Sequence, residues 1–249
     1  MKNICILGSG SWGTALAIHL AKMNNKIKMW AYLQEEADII NNEKRCKFLP
    51  NAKIPENITC TTDFEEAIKD SEMILIVTPS KAVRETLKKC KKYITNQSII
   101  ICSKGFEKET LYTLNEVVEE ELPNLKIGGL SGPSHAEEVS MEIPTALVIA
   151  SKHEDLLKDV QKTFMNENLR IYKTKDLKGT ELGGALKNII AFCAGIITGL
   201  ELGDNTFAAL LTRGLSEMAK LSVKMGGQIK TIYGLTGLRW FDSNMHEQP

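Results

Sequence analysis

The sequence predicts an α/β fold, a doubly wound and mostly parallel sheet followed by a region built only of helices. Three observations predict it. Short, continuously apolar runs alternate with helix-length amphipathic segments through the first two-thirds of the 249 residues, as in parallel strands covered on both faces by helices. The first apolar run ends in a glycine-rich turn that leads directly into a helix. After about Lys178 the strand-like runs stop and two long helical segments take over. The chain is therefore divided into residues 1–178 and 179–249.

Taken in order, strands are expected at residues 3–7, 27–30, 58–60, 73–77, 98–102, 126–129 and 146–150, where aliphatic and β-branched side chains run together. Helices are expected at 13–23, 34–41, 63–69, 82–93, 111–121 and 154–164, then at 181–202 and 206–225. Asp63 with Glu66 three residues on resembles a capping box. Gly203-Asp204-Asn205-Thr206 offers a turn and a cap between the two long helices.

Composition limits the function. Apolar and charged fractions of 43% and 25% are those of an ordinary globular chain. Thirty-one basic residues balance thirty-one acidic ones, so neither a nucleic acid nor an anionic membrane surface is an expected partner. Cys5, Cys46, Cys60, Cys90, Cys102 and Cys193 form no C-x-x-C pair and sit mostly in apolar runs, as buried side chains in a reducing compartment do. The sequence enters a strand at once, and its longest nearly apolar stretch, 189–200, is shorter than the roughly 20 residues a bilayer span needs. A cytoplasmic protein without a membrane span is expected.

Gly8-Ser9-Gly10-Ser11-Trp12-Gly13 is G-x-G-x-x-G between a strand and a helix. Gly8 permits the tight turn, Gly10 lets a pyrophosphate approach the backbone, and Gly13 lets the helix pack on the sheet, so a Rossmann-like dinucleotide site is expected. An acidic residue at the end of the second strand would hold a ribose hydroxyl, and an arginine a 2′-phosphate. Trp30-Ala31-Tyr32-Leu33 supplies neither. Tyr32 is a candidate to border the adenosine, and the choice between NAD and NADP stays open.

Three further segments carry chemistry. Ser103-Lys104-Gly105 and Leu130-Ser131-Gly132-Pro133-Ser134-His135-Ala136 follow strands, where ligands of open α/β sheets gather. His135 is a candidate acid–base group; the alternatives are an exposed loop lysine at Lys104 and an ordinary turn at Gly132-Pro133-Ser134. Residues 183–196 are apolar all round except Lys187 and Asn188, so most of this helix is expected to be buried. A buried ammonium has a lowered pKa, which fits a general acid for a carbonyl oxygen; a lysine reaching to the surface is the alternative.

In family order, Gly8 to Ala17, Ser103-Lys104-Gly105, Gly132 to Glu138, Leu182 to Asn188, and Gly203 to Thr206 with Ala208 to Gly214 resemble the bacterial-type NAD(P)-dependent glycerol-3-phosphate dehydrogenases. The resemblance implies a Rossmann-like domain followed by an all-helical substrate domain, and interconversion of dihydroxyacetone phosphate and sn-glycerol 3-phosphate with NADH or NADPH for phospholipid synthesis. It implies that Lys187 is the catalytic acid–base group and that Lys104 touches substrate and cofactor. Gly132 and Ser134 match substrate contacts; Ser11, Trp12 and Ala136 match cofactor contacts; Tyr32 holds an adenosine-side position. A small phosphorylated substrate and a homodimer are the implied partners. Another hydroxyacid-type dehydrogenase and an inactive nucleotide-binding fragment are the alternatives.

After Gly234-Leu235-Thr236-Gly237-Leu238 the family pattern continues Gly-Asp, whereas this chain has Arg239-Trp240 and then Phe241 to Pro249 with no resemblance. A truncated or frame-shifted chain, with the helical domain incomplete, is the expectation.

Overall fold

A computed structural model describes residues 1–237; the divergent segment from Arg239 to Pro249 lies outside the described residues. Strands β1 (Asn3–Leu7), β2 (Lys26–Trp30), β3 (Ile58–Thr61), β4 (Met73–Ile76), β5 (Ser98–Ile101), β6 (Ile127–Ser131), β7 (Thr145–Ser151) and β8 (Leu169–Thr174) form one sheet in the order β3-β2-β1-β4-β5-β6-β7-β8. Neighbours run parallel except β6 and β7. Helices α1 (Ser11–Lys22), α2 (Gln34–Asp38), α3 (Phe64–Ile68), α4 (Val83–Cys90), α5 (Leu114–Glu121), α6 (Ala136–Ser140) and α7 (Glu154–Phe164) lie between the strands. Then α8 (Leu177–Gly199), α9 (Gly203–Lys224) and α10 (Ile229–Ile232) follow.

Strand side chains alternate between faces, and both faces are buried. Ile4, Ile6, Met73, Leu75 and Ile100 join one core cluster, while Cys5, Leu7, Ile74, Ile76, Ile99 and Ile101 join the other. This two-sided burial is why the strands read as continuous apolar runs. A third, smaller cluster of Leu182, Leu186, Ile190, Leu215, Met218, Ala219 and Ile232 holds α8, α9 and α10 together.

The structure corrects several local expectations. Strand β8 is absent from the expected set, because its exposed Arg170 and Tyr172 alternate with buried Leu169 and Ile171 and break the apolar run. Asp63 accepts from the Glu66 backbone N–H, but the Glu66 carboxylate accepts from Thr61 instead of returning to the cap. The reciprocal capping box is at Thr113 and Glu116. Helix α9 starts at Gly203, so Asn205 and Thr206 lie within it; the Thr206 hydroxyl donates to Leu202 O instead of capping.

Helix α8 starts at Leu177, four residues before the expected 181, because Asp176 caps it. One Asp176 carboxylate oxygen accepts from the Gly179 N–H at 2.9 Å. The other accepts from the Gln228 N–H at 2.9 Å and the Thr231 hydroxyl at 2.5 Å. A single buried side chain therefore ties the start of α8 to the start of α10.

The first half of α8 packs over β6, where an added Cβ at Gly129 would come within 2.8 Å of Leu177. The second half is not buried as expected: Ile189, Phe192 and Ile196 are exposed, as is Leu200 at its end. It extends past the sheet, and among the described residues α9 is its main neighbour. At 23 residues, α8 is long and apolar enough to cross a membrane by length and composition, longer than the 189–200 stretch alone indicates. Such a helix is weak evidence for a span, and its first half packs on the sheet.

Two outcomes follow from this packing. Asp176→Ala should lower the unfolding free energy by about 2 kcal/mol, measured by urea titration, because it strands three donors. The exposed apolar face of α8 and α9 should drive concentration-dependent association in light scattering; a monodisperse monomer across the concentration range would count against it.

Candidate active site

The main cleft lies at the carboxyl ends of β1, β2, β4 and β5 and encloses about 600 Å³. Gly8 occupies positive φ, +133°, and its N–H donates to Trp30 O at 3.0 Å, which ties the glycine turn to the end of β2. A Cβ at Gly13 would overlap the Gly8 carbonyl, whereas one at Gly10 would meet nothing within 4 Å. Gly13 thus serves packing, and Gly10 leaves open space beside the N-terminus of α1. That helix starts without a side-chain cap, so its first N–H groups and partial positive charge are free to meet an anion.

Gly8, Gly10, Ser11, Trp12, Gly13, Tyr32, Lys104, Ser134 and Ala136 all line this cleft. Gly132 and Lys187 do not line it; they are joined to each other. Lys187 is 2% exposed and donates to Gly132 O at 3.2 Å, so it does not reach to the surface. Loss of hydration, with a smaller contribution from the nearby charge of Lys104, brings its pKa down to about 7. Burial also lowers the pKa of Lys104 below the ordinary lysine value. His135, exposed at the start of α6, lines the cleft, and no hydrogen bond joins it to Lys187 among the described residues.

The residues present fit a dinucleotide. Trp12 Nε1, Thr78 Oγ1 and Ser134 Oγ are buried without a hydrogen-bond partner among the described residues, and all three residues face the cleft. Buried polar atoms are rarely left unpaired, so these three atoms are available to ligand oxygens or nitrogens. Ser103 is used differently: its hydroxyl donates to Ile76 O and Thr78 O, fixing the loop that presents Lys104.

Sequence reasoning missed four residues here. Thr78, Glu36 and Phe48 line the cleft, and none belongs to a quoted motif. Glu181 lies with Lys104, Ser131 and Gly184 around a smaller recess, and its carboxylate accepts from the Asn115 N–H at 3.0 Å. Burial pushes its pKa up to about 8. The available signal was a carboxylate just ahead of the apolar run that contains Lys187.

Glycine turn, parallel sheet and buried lysine define a dinucleotide-dependent oxidoreductase. Comparison with known proteins narrows the class. The profile of the NAD-dependent glycerol-3-phosphate dehydrogenase N-terminus matches residues 3–157, and that of the C-terminus matches residues 176–239. The glycerol-3-phosphate dehydrogenase [NAD(P)+] of Bacillus pumilus is 45% identical over 243 residues, 96% of this chain and 70% of that protein. The protein of that name from Fusobacterium nucleatum is also 45% identical, over 96% of this chain and 72% of its own length. A crystal structure of glycerol-3-phosphate dehydrogenase from Coxiella burnetii superposes with a TM-score of 0.93 at 39% identity, covering 97% of this chain and 74% of that one. The chain belongs to the NAD-dependent glycerol-3-phosphate dehydrogenase family.

The lowered pKa of Lys187 has a consequence for stability. Between about pH 7 and the ordinary lysine value, the unfolded chain holds a proton on Lys187 that the folded chain lacks, so rising pH favours the fold. Below about pH 7 both states are protonated and the full cost of burying the ammonium applies. Lys187→Met should therefore stabilise the protein by a few kcal/mol at about pH 6, since each tenfold loss of proton affinity on folding corresponds to about 1.4 kcal/mol. That gain should shrink toward about pH 10 in urea titrations at stepped pH; a gain independent of pH would contradict the burial argument.

Proposed function

We propose that this chain interconverts dihydroxyacetone phosphate and sn-glycerol 3-phosphate with NADH or NADPH, the reaction that supplies the phospholipid backbone. The observation that carries the reading is the buried Lys187, bonded to Gly132 O beside Lys104, next to a cleft with unpaired polar atoms. Residues 1–178 hold the dinucleotide, and residues 179–249 contribute the substrate side. The reading includes a cytoplasmic setting, supported by six unpaired cysteines, five of them buried. It also includes a homodimer, supported by the exposed apolar residues of α8 and α9, and assigns no nucleic-acid partner, in keeping with the balanced charge.

When bound, the reduced dinucleotide supplies the hydride that the carbonyl carbon receives. Lys187 Nζ gives a proton to the substrate oxygen as that oxygen gains negative charge, and takes the hydroxyl proton in the opposite direction. A pKa of about 7 keeps both forms of the amine populated at neutral pH. Lys104 places positive charge beside the substrate oxygens and borders the cofactor. Gly132 and Ser134 contact the substrate. Ser11, Trp12 and Ala136 hold the dinucleotide with the glycine turn, and Tyr32 borders its adenosine.

The test is NADH and NADPH oxidation with dihydroxyacetone phosphate, run beside cofactor binding by fluorescence. Substrate-dependent oxidation is expected, and Lys187→Met should lower kcat by about 10²–10⁴-fold while leaving cofactor binding intact. Binding without oxidation would overturn the enzymatic reading in favour of a nucleotide-binding fragment. Oxidation unaffected by Lys187→Met would remove that residue from the chemistry.

A further inference from the structure

The adenosine end of the cleft carries a feature that no motif in the sequence announces. Ser9, the first variable residue of the glycine turn, is buried, and its hydroxyl donates to Glu36 Oε2 at 2.5 Å. Both residues line the main cleft. The bond from Gly8 N to Trp30 O holds the end of β2 against the glycine turn, and in a sheet of this kind the adenosine ribose lies at that junction. The residues following β2, Tyr32 and Leu33, bring no charge, so the carboxylate arrives from the first turn of α2.

We propose that Glu36, held by Ser9, makes this site select the dinucleotide with a free 2′-hydroxyl over the one with a 2′-phosphate. The proposal rests on the dinucleotide reading given above and deepens it. Glu36 Oε1 has no donor among the described residues, which leaves an acceptor for the 2′-hydroxyl proton. A 2′-phosphate at the same place would set two anions against each other. Arg45 and Lys47 line a small recess that shares Ser9, Glu36 and Phe48 with the main cleft, but neither lines the main cleft itself, and no ion pair joins either to Glu36 among the described residues. Lys104, the lysine of the cleft lining, follows β5, two strands across the sheet from β1.

Equilibrium titration of the full chain with NADH and with NADPH at one ionic strength, read by fluorescence, tests the proposal without turnover. Displacement by 5′-AMP and 2′,5′-ADP gives a second readout that isolates the adenosine end. The wild type should bind NADPH about tenfold or more weakly than NADH, since each tenfold step corresponds to about 1.4 kcal/mol. Glu36→Gln keeps an acceptor and removes the charge; it should close the gap to about threefold, chiefly by tightening NADPH. Equal wild-type affinities, or a ratio that Glu36→Gln leaves unchanged, would overturn the proposal. A wild-type preference for NADPH that Arg45→Ala abolishes would overturn it too and move the 2′-phosphate to Arg45. If the variant misfolds, the wild-type ratio and the displacement pair still decide. Failure of the wild type to bind either dinucleotide would instead overturn the underlying reading, a result distinct from loss of selectivity.

Discussion

Helix α8 crosses the carboxyl end of β6 at close range, with a glycine on each side of the contact. A Cβ on Gly129 would come within 2.8 Å of Leu177, and one on Gly184 within 3.1 Å of Ser131 Oγ. Because the helix lies this close, Lys187 reaches Gly132 O directly from its own turn of α8 instead of projecting into solvent. The same approach brings Lys104, Ser131 and Glu181 around one recess. Asp176 fixes where the helix starts, so a cap at one end of α8 sets the position of an amine three helical turns away. The glycines cost local helix and strand stability, and what they provide is placement.

The charge pattern around this crossing is unfavourable to folding and suited to chemistry. Lys187 has lost most of its hydration and faces a second lysine, and both effects act against its ammonium form. Few natural positions keep a cation under such conditions unless the position is used. The apolar clusters on the two faces of the sheet supply the offsetting stability. Elsewhere charges are paired in the ordinary way, as where Arg84 meets Glu107, Glu120 and Glu121, and the contrast sets Lys187 apart.

Much of this was legible in the sequence because its signals are local. A strand buried on both faces is a run of Ile and Leu, and a pyrophosphate turn needs glycines at fixed spacing, so β1 to β7 and the turn at Gly8 could be read directly. Lys187 was legible because a cation in an apolar helix contradicts its surroundings. What escaped depends on contacts between distant segments. Strand β8 hides because one of its faces is exposed. The exposure of Phe192 and Ile196 depends on how far α8 overhangs the sheet, which periodicity does not encode. Glu36 escaped because the expected carboxylate belongs at the strand end, and here it enters from the next helix. Thr78 has no signature beyond following a strand.

An ammonium carries three donors, and among the described residues Lys187 has one acceptor, Gly132 O. That leaves two N–H groups of a buried side chain without a partner among the described residues, the kind of deficit that a folded protein normally removes. Neutralising the amine lessens the deficit, which is the physical content of a pKa near 7. An oxygen gaining negative charge would remove it more completely, since such an oxygen accepts from a cationic donor more strongly than a neutral carbonyl does. The cost of Lys187 in the resting fold is therefore largest in the protonation state that has most to gain from a developing oxyanion. An interaction that strengthens as the reaction proceeds, while the ground state stays underpaired, lowers the barrier instead of only tightening binding.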